Sequence, residues 1–332
     1  MHEKVPDTFS QVAVALGIAA VLALAPAAHA QPVWKPDRAI EIVTGTSGGG
    51  ADRMARLVQT IMQEKKLVAT PVAVVTKPGA GNSIAFTYVS QKPGDGHYLL
   101  VSTLSLSLNH LTGTSRLSYR DFTPLVTLFD EYVAIVVRAD SPIRNGRDLV
   151  ERLRKDPAAV SIGVTSLGGA NHLAAAIVLR AVGVDVKKAR TVVFESAGKA
   201  VLAALGGHVD IAPASASVPV AHLAAGTVRV IGITAPRRLG GAYAEIATWR
   251  EQGVDAEFSS YRGFAAPREL KEPQIAYWEK VFAAIDQDER WQDEAEKNLL
   301  HRQFRASRDT RKYLGELEGP LKAVLSDLGM LK

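Results

Sequence analysis

The chain has 332 residues, 39 Lys plus Arg against 34 Asp plus Glu, a formal net charge of +5 and no cysteine. That length is too great for one small core and points to two lobes. Disulfides and thiol chemistry are excluded. So is a nucleic-acid surface, because basic pairs such as Lys65-Lys66, Lys187-Lys188 and Arg237-Arg238 are isolated and lack interleaved aromatics.

Residues 1–30 read as a secretory signal peptide. Val12 to Ala25 is almost wholly apolar, and Ala28-His29-Ala30 forms an A-x-A site. The run falls short of the ~20 residues that a membrane span needs. Cleavage is expected after Ala30, leaving a mature periplasmic chain that starts at Gln31. The n-region is imperfect, since Glu3 and Asp7 offset Lys4. Losing the segment raises the formal charge by one.

The mature chain opens with an apolar strand, Ala39–Val43, and a loop running from Thr44 to Asp52. The spacing of Met54, Leu57, Val58, Ile61 and Met62 then predicts a helix. A helix start offers unpaired N–H groups and a partial positive charge. Glycines at 48 and 49 admit a ligand to that backbone, and Thr46 and Ser47 add hydroxyls, which suits a small anion. Taken alone the loop is an ordinary βα connection. It is not a nucleotide fingerprint: G-x-G-x-x-G would need Gly at Arg53, and no G-x-x-x-x-G-K-[ST] occurs.

The same device recurs. A second strand, Pro71–Val75, ends in a turn containing Ala80, Gly81, Asn82 and Ser83, which opens a helix carrying Ile84, Tyr88 and Val89. A third, His97–Val101, ends in Ser102-Thr103. Leu125–Leu128 and the strand Tyr132–Val137 follow, the latter read as the exit from the first lobe. In the second lobe Val160–Val164 ends in a turn with Ser166, Gly168, Gly169, Ala170 and Asn171, and Thr191–Phe194 leads to Ser196 at a helix start. Asp210 closes a brief strand, His208-Val209. Val228–Ile233 is a strand, Phe258–Ala266 the return strand, and residues 271–328 read as helices.

Alternating strands and helices predict an α/β fold with parallel strands. The lobes are 31–138 plus 258–332, and 139–257, joined by two hinge strands near Val133–Arg138 and Phe258–Ala266. Ligands of open α/β sheets sit at the carboxyl ends of strands. Candidate ligand-binding residues are therefore Thr46, Ser47, Gly48, Gly49, Ala80, Gly81, Asn82, Ser83, Ser102, Thr103, Ser166, Gly168, Gly169, Ala170, Asn171, Ser196 and Asp210.

Several segments resemble one family in order and spacing. They are Pro36-Asp37-Arg38-Ala39-Ile40, Gly48–Asp52, Lys77-Pro78-Gly79-Ala80-Gly81, Asp95-Gly96 before Leu99-Leu100, Asp121-Phe122-Thr123-Pro124, His172-Leu173 and Gly206-Gly207…Asp210. The family is the extracytoplasmic substrate-binding proteins of tripartite tricarboxylate transporters, the Bug family, and the resemblance spans the mature chain. It implies a two-lobed periplasmic-binding-protein fold of type II-like form, a small carboxylate in the interlobe cleft, and delivery to integral-membrane transporter subunits. It implies neither catalysis, cofactor nor metal, and a monomer is expected.

This chain departs from the family pattern in places. Prolines common in the first loop give way to Thr46-Ser47, and Pro-Gly-Ala-Gly-Gly becomes Pro-Gly-Ala-Gly-Asn at Asn82. Val-Pro-Tyr-Lys-Gly corresponds to Val192-Val193-Phe194-Glu195-Ser196, and the aromatic of the return strand is Tyr261, followed by Arg262. Glu195 would disfavour a second ligand carboxylate and Arg262 would favour one. The sequence leaves open whether either faces the cleft or solvent.

An enzyme is the alternative class. Ser196-Ala197-Gly198-Lys199 matches S-x-x-K, the acylating signature of secreted serine hydrolases that act on β-lactams, but S-D-N and K-T-G are missing. The histidines show no metal-ligand spacing. A third class is a solute-sensing component of a signalling system, which has the same lobes and a different partner.

Overall fold

The computed structural model describes residues 1–2, 34–48 and 50–332. Residues 3–33, which carry most of the expected signal peptide and its cleavage site, and Gly49 lie outside the described residues. Residues 35–332 form one compact unit.

Strand β1 (Ile40–Thr44) leads into helix α1 (Gly50–Glu64), β2 (Val72–Thr76) into α2 (Ser83–Ser90), and β3 (Tyr98–Thr103) into α3 (Ser105–Leu111). β1 pairs in parallel with β2 and β3, so the three strands end on one edge. α1 turns Met54, Ala55, Val58, Ile61 and Met62 inward, as its three-and-four spacing requires.

The axis of the molecule is β4 (Phe122–Arg138), 17 residues long and buried at every position but the last. After it come α4 (Gly146–Lys155), β5 (Ser161–Val164), α5 (Ala170–Ala181), β6 (Arg190–Val193) and α6 (Ala197–Leu205). The chain continues through β7 (Ala212–Ser215), α7 (Val220–Ala224) and β8 (Val228–Ile233), then β9 (Ser259–Pro267), α8 (Glu272–Asp286), α9 (Glu289–Lys297), β10 (His301–Arg305) and α10 (Ser307–Asp327). The first half of β4 lies between β9 and β10, giving the order β10-β4-β9-β3-β1-β2. Its second half, from Val133 on, lies between β7 and β8. β5 and β6 pair in parallel, and Ile162 bridges to Ile211 just ahead of β7.

The chain crosses from one strand set to the other twice, side by side. β4 crosses at Tyr132-Val133, where Ala216 N–H donates to Tyr132 O and Thr234 N–H to Val133 O, both at 3.0 Å. The return crosses at Phe258-Ser259, where Phe258 N–H donates to Thr234 O at 3.1 Å and Ser259 pairs with Tyr132.

The structure corrects the sequence reading at four points. Leu125–Leu128 and Tyr132–Val137 are one strand, because Asp130 and Glu131 between them are buried and paired to Arg305 and Arg262. Residues 301–305, expected to be helical, form β10. The strand expected at His208-Val209 is β7 instead, beginning after Asp210, because the turn at Gly206-Gly207 carries the chain through residue 210. Parallel pairing holds for β1–β3 and β5–β6, whereas β4 pairs antiparallel with all its neighbours.

Candidate functional site

A cavity of about 260 Å³ opens between the two strand sets. One wall is the start of α1, with Gly50, Arg53 and Met54; the opposite wall is the start of α6, with Ser196, Ala197 and Gly198. Ser215, Ser217 and Val218 continue the second wall beyond β7. Phe129, stacked on Trp291 at 4.5 Å, forms the apolar floor. Two helix N-termini thus face one space, each presenting N–H donors and a partial positive charge.

The charged groups of the cavity come in pairs. Arg262 on β9 donates from Nη2 to both Glu131 oxygens, at 2.9 and 2.7 Å, and their side chains are 17% and 10% exposed. β9 registers Arg262 against Thr103 and Phe129, which sets the guanidinium beside the β1–α1 turn. There it lies over Gly50: a Cβ at that position would come within 2.8 Å of Arg262 Cζ. A side chain at residue 50 would therefore displace the Arg262 guanidinium. Arg53 and Glu294 are the second pair, at 4.0 Å and more exposed.

Of the described candidate ligand-binding residues, Ser196 alone lines this cavity, together with Arg262, whose orientation the sequence left open. Ser196 Oγ accepts Lys199 N–H at 3.2 Å, capping α6. Lys199 Nζ is bonded to Glu195, not to Ser196, and the exposed Glu195 carboxyl is held below its ordinary range by that lysine. Ser196 has no base among its partners, so S-x-x-K here is a helix cap and not an acylating centre.

The turns of the first strand set adjoin one another. Asn82 Nδ2 donates to Ser105 Oγ at 2.8 Å, and Ser105 Oγ meets Thr103 Oγ1 at 2.8 Å. Asn109 Nδ2 donates to Gly81 O at 2.6 Å and Ser83 Oγ at 3.3 Å. Ser102 Oγ contacts Tyr261 OH at 3.3 Å. Ala80, Gly81 and Asn82 all have positive φ, so the turn exposes its backbone. Thr46, Ser47 and Gly48 are exposed. Gly48 N–H is already taken by Asp52 at 3.1 Å.

The β5–α5 turn, Ser166 to Asn171, does not line the cavity. Gly168 packs against Thr112 and Met330. Its N–H donates to His172 Nδ1 at 2.9 Å, and burial pushes the His172 pKa down. Asp210 is not at this edge at all. It accepts from Ser161 N–H at 2.7 Å at the beginning of β5, the far end of that strand. Gly49 lies outside the described residues.

Sequence reasoning left open whether Arg262 faces the cleft, and the structure places it on the cavity wall; Glu131 was missed altogether. A signal existed: two acids, Asp130-Glu131, interrupt an apolar strand run, and buried acids require partners. Among the described residues no group of three or more His, Cys, Asp or Glu could hold a metal.

Comparison with known proteins agrees with this architecture. MatC from Rhodopseudomonas palustris, solved with bound malate, shares 24% identity at a TM-score of 0.72, over 87% of this chain and 99% of that one. A second R. palustris protein, solved with adipate, shares 22% identity at a TM-score of 0.76, over 89% and 98%. These likenesses show the two-lobed periplasmic solute-binding fold. A protein from the tcbD–tcbE intergenic region of Pseudomonas sp. (strain P51) is 29% identical over 203 residues, covering 60% of this chain and 59% of that protein. The tripartite tricarboxylate transporter family receptor model matches residues 54–299, and the chain belongs to that family.

Proposed function

We propose that this chain captures a small carboxylate-bearing solute in the cavity between the starts of α1 and α6 and hands it to the membrane subunits of a tripartite transporter. The observation that carries the reading is the convergence of two helix N-termini and the Arg262 guanidinium on one cavity. Charge-assisted hydrogen bonds of that kind contribute roughly 1.5–3 kcal/mol each. Backbone and hydroxyl groups at 46–48, 80–83, 102–103 and 166–171 are proposed to extend the site along the cleft. Malate and adipate in the related structures support the solute class.

The proposed lobes are 31–138 plus 258–332, and 139–257, closing about the paired crossings at Tyr132-Val133 and Phe258-Ser259. The receptor acts as a monomer in the periplasm after cleavage behind Ala30, so intact-mass measurement of exported protein is expected to give Gln31 as its first residue. The solute reading is tested by thermal-shift screening and calorimetric titration with malate, succinate and adipate. A saturable rise in Tm supports it. Absence of binding to every small carboxylate tried refutes it.

A further inference from the structure

The charges that face the cavity are two guanidiniums, Arg53 and Arg262, and two carboxylates, Glu131 and Glu294. They cancel. What remains is the partial charge of two helix N-termini, about half a positive charge each. The wall therefore complements about one negative charge. A second carboxylate entering beside Arg262 would meet Glu131, whose oxygens sit within 2.9 Å of Nη2 on the same guanidinium. Glu131 is only 10% exposed, so water screens that repulsion weakly.

Arg262 is nonetheless built to take one anion. Its Nη2 is used by Glu131, while Nε and Nη1 have no acceptor among the described residues, and the side chain lines the cavity. Glu131 holds it on one side, and on the other it lies close enough to Gly50 that a Cβ there would come within 2.8 Å of Cζ. With Nη2 occupied, Nε–H and Nη1–H point along different edges of the guanidinium and act as single charge-assisted donors to an anion. We infer that the cavity selects a carboxylate carrying one net negative charge over the same molecule carrying two, with Arg262 as the anchoring cation and Glu131 as the residue that sets the limit. This rests on the carboxylate reading above and narrows it.

The test uses molecules that differ in one charge and little in shape: succinate against monomethyl succinate, and adipate against monomethyl adipate, titrated calorimetrically into the full mature protein at pH 7.5. The half-ester is expected to bind at least fivefold more tightly than its diacid in at least one pair. Glu131→Gln, which keeps the shape and an acceptor for Arg262, is expected to reduce that ratio to one or reverse it. A wild-type ratio below fivefold in both pairs overturns the inference and leaves the carboxylate reading standing, provided the diacids bind. A ratio unchanged in folded Glu131→Gln also overturns it. If that variant does not fold, the wild-type ratio decides alone. Binding of neither member of either pair overturns both readings.

Discussion

Gly45 lies directly beneath Asn82: a Cβ on residue 45 would stand 2.6 Å from the Asn82 Cβ, closer than two such atoms come. Asn82 is itself in the left-handed region, with φ at 81°, and its Nδ2 is tied to Ser105. Gly45→Ala therefore pushes on backbone-anchored atoms and not on a free side-chain tip. Overpacking of this kind costs about 1–3 kcal/mol. The expected outcome is a loss of that size in urea denaturation, largely recovered when Asn82→Gly is added. Additive losses in the double variant would show that the two residues do not press on each other.

His172 is 7% exposed, accepts a hydrogen bond from Gly168 N–H, and has its pKa lowered by burial. The unfolded chain therefore binds this proton more readily than the folded one. The contribution to stability is fully present above the unfolded value of about 6.5 and is lost as pH falls toward the depressed folded value. His172→Asn keeps an acceptor near Nδ1 and cannot titrate there. Denaturation at pH 7.5 and pH 5 is expected to show the variant gaining on wild type at the lower pH. A gap that does not change between the two would contradict this.

Ser196 caps α6 and performs no chemistry. Ser196→Ala is expected to cost about 1 kcal/mol of stability, the usual worth of such a cap. Lys199→Met, which loses only an exposed pair with Glu195, is expected to change stability by less than about 0.5 kcal/mol. Neither the wild type nor the two variants should turn over a chromogenic ester or β-lactam. Turnover abolished by both substitutions would restore the hydrolase.

Closure about two adjacent crossings is expected to shrink the molecule when solute binds. The Tyr132–Ser259 register pair lies at the two crossings, so a rotation about them would leave that pairing in place. Small-angle scattering of verified solute-free protein should give a larger radius of gyration than the saturated form. Identical profiles would count against a closing cleft.

Much of the fold was legible because burial imposes period. The inward face of α1 and the parallel turns after β1, β2 and β5 follow from apolar spacing and from small residues where helices begin. β10 was not legible: His301-Arg302-Gln303-Phe304-Arg305 has no apolar alternation, and its place depends on Arg305 reaching Asp130 and Arg302 reaching Asp286. The site was legible only in part. Ser196 announced itself as a helix start, but Arg262 and Glu131 are 131 residues apart and meet only through the β4–β9 register. Asp210 was misread because it follows the short His208-Val209 pair and so looks like a strand end, while here it precedes the strand and binds Ser161.

The sharing of β4 between two strand sets also limits how this chain can be divided. Residues 133–138 are the middle strand between β7 and β8. A fragment spanning 139–257 would lack that strand, leaving two bare edges facing each other across a gap the width of one chain. Such edges recruit other strands, and self-association follows. The 139–257 segment is therefore a poor candidate for expression, exchange or grafting as a module unless a stretch equivalent to Val133–Arg138 travels with it.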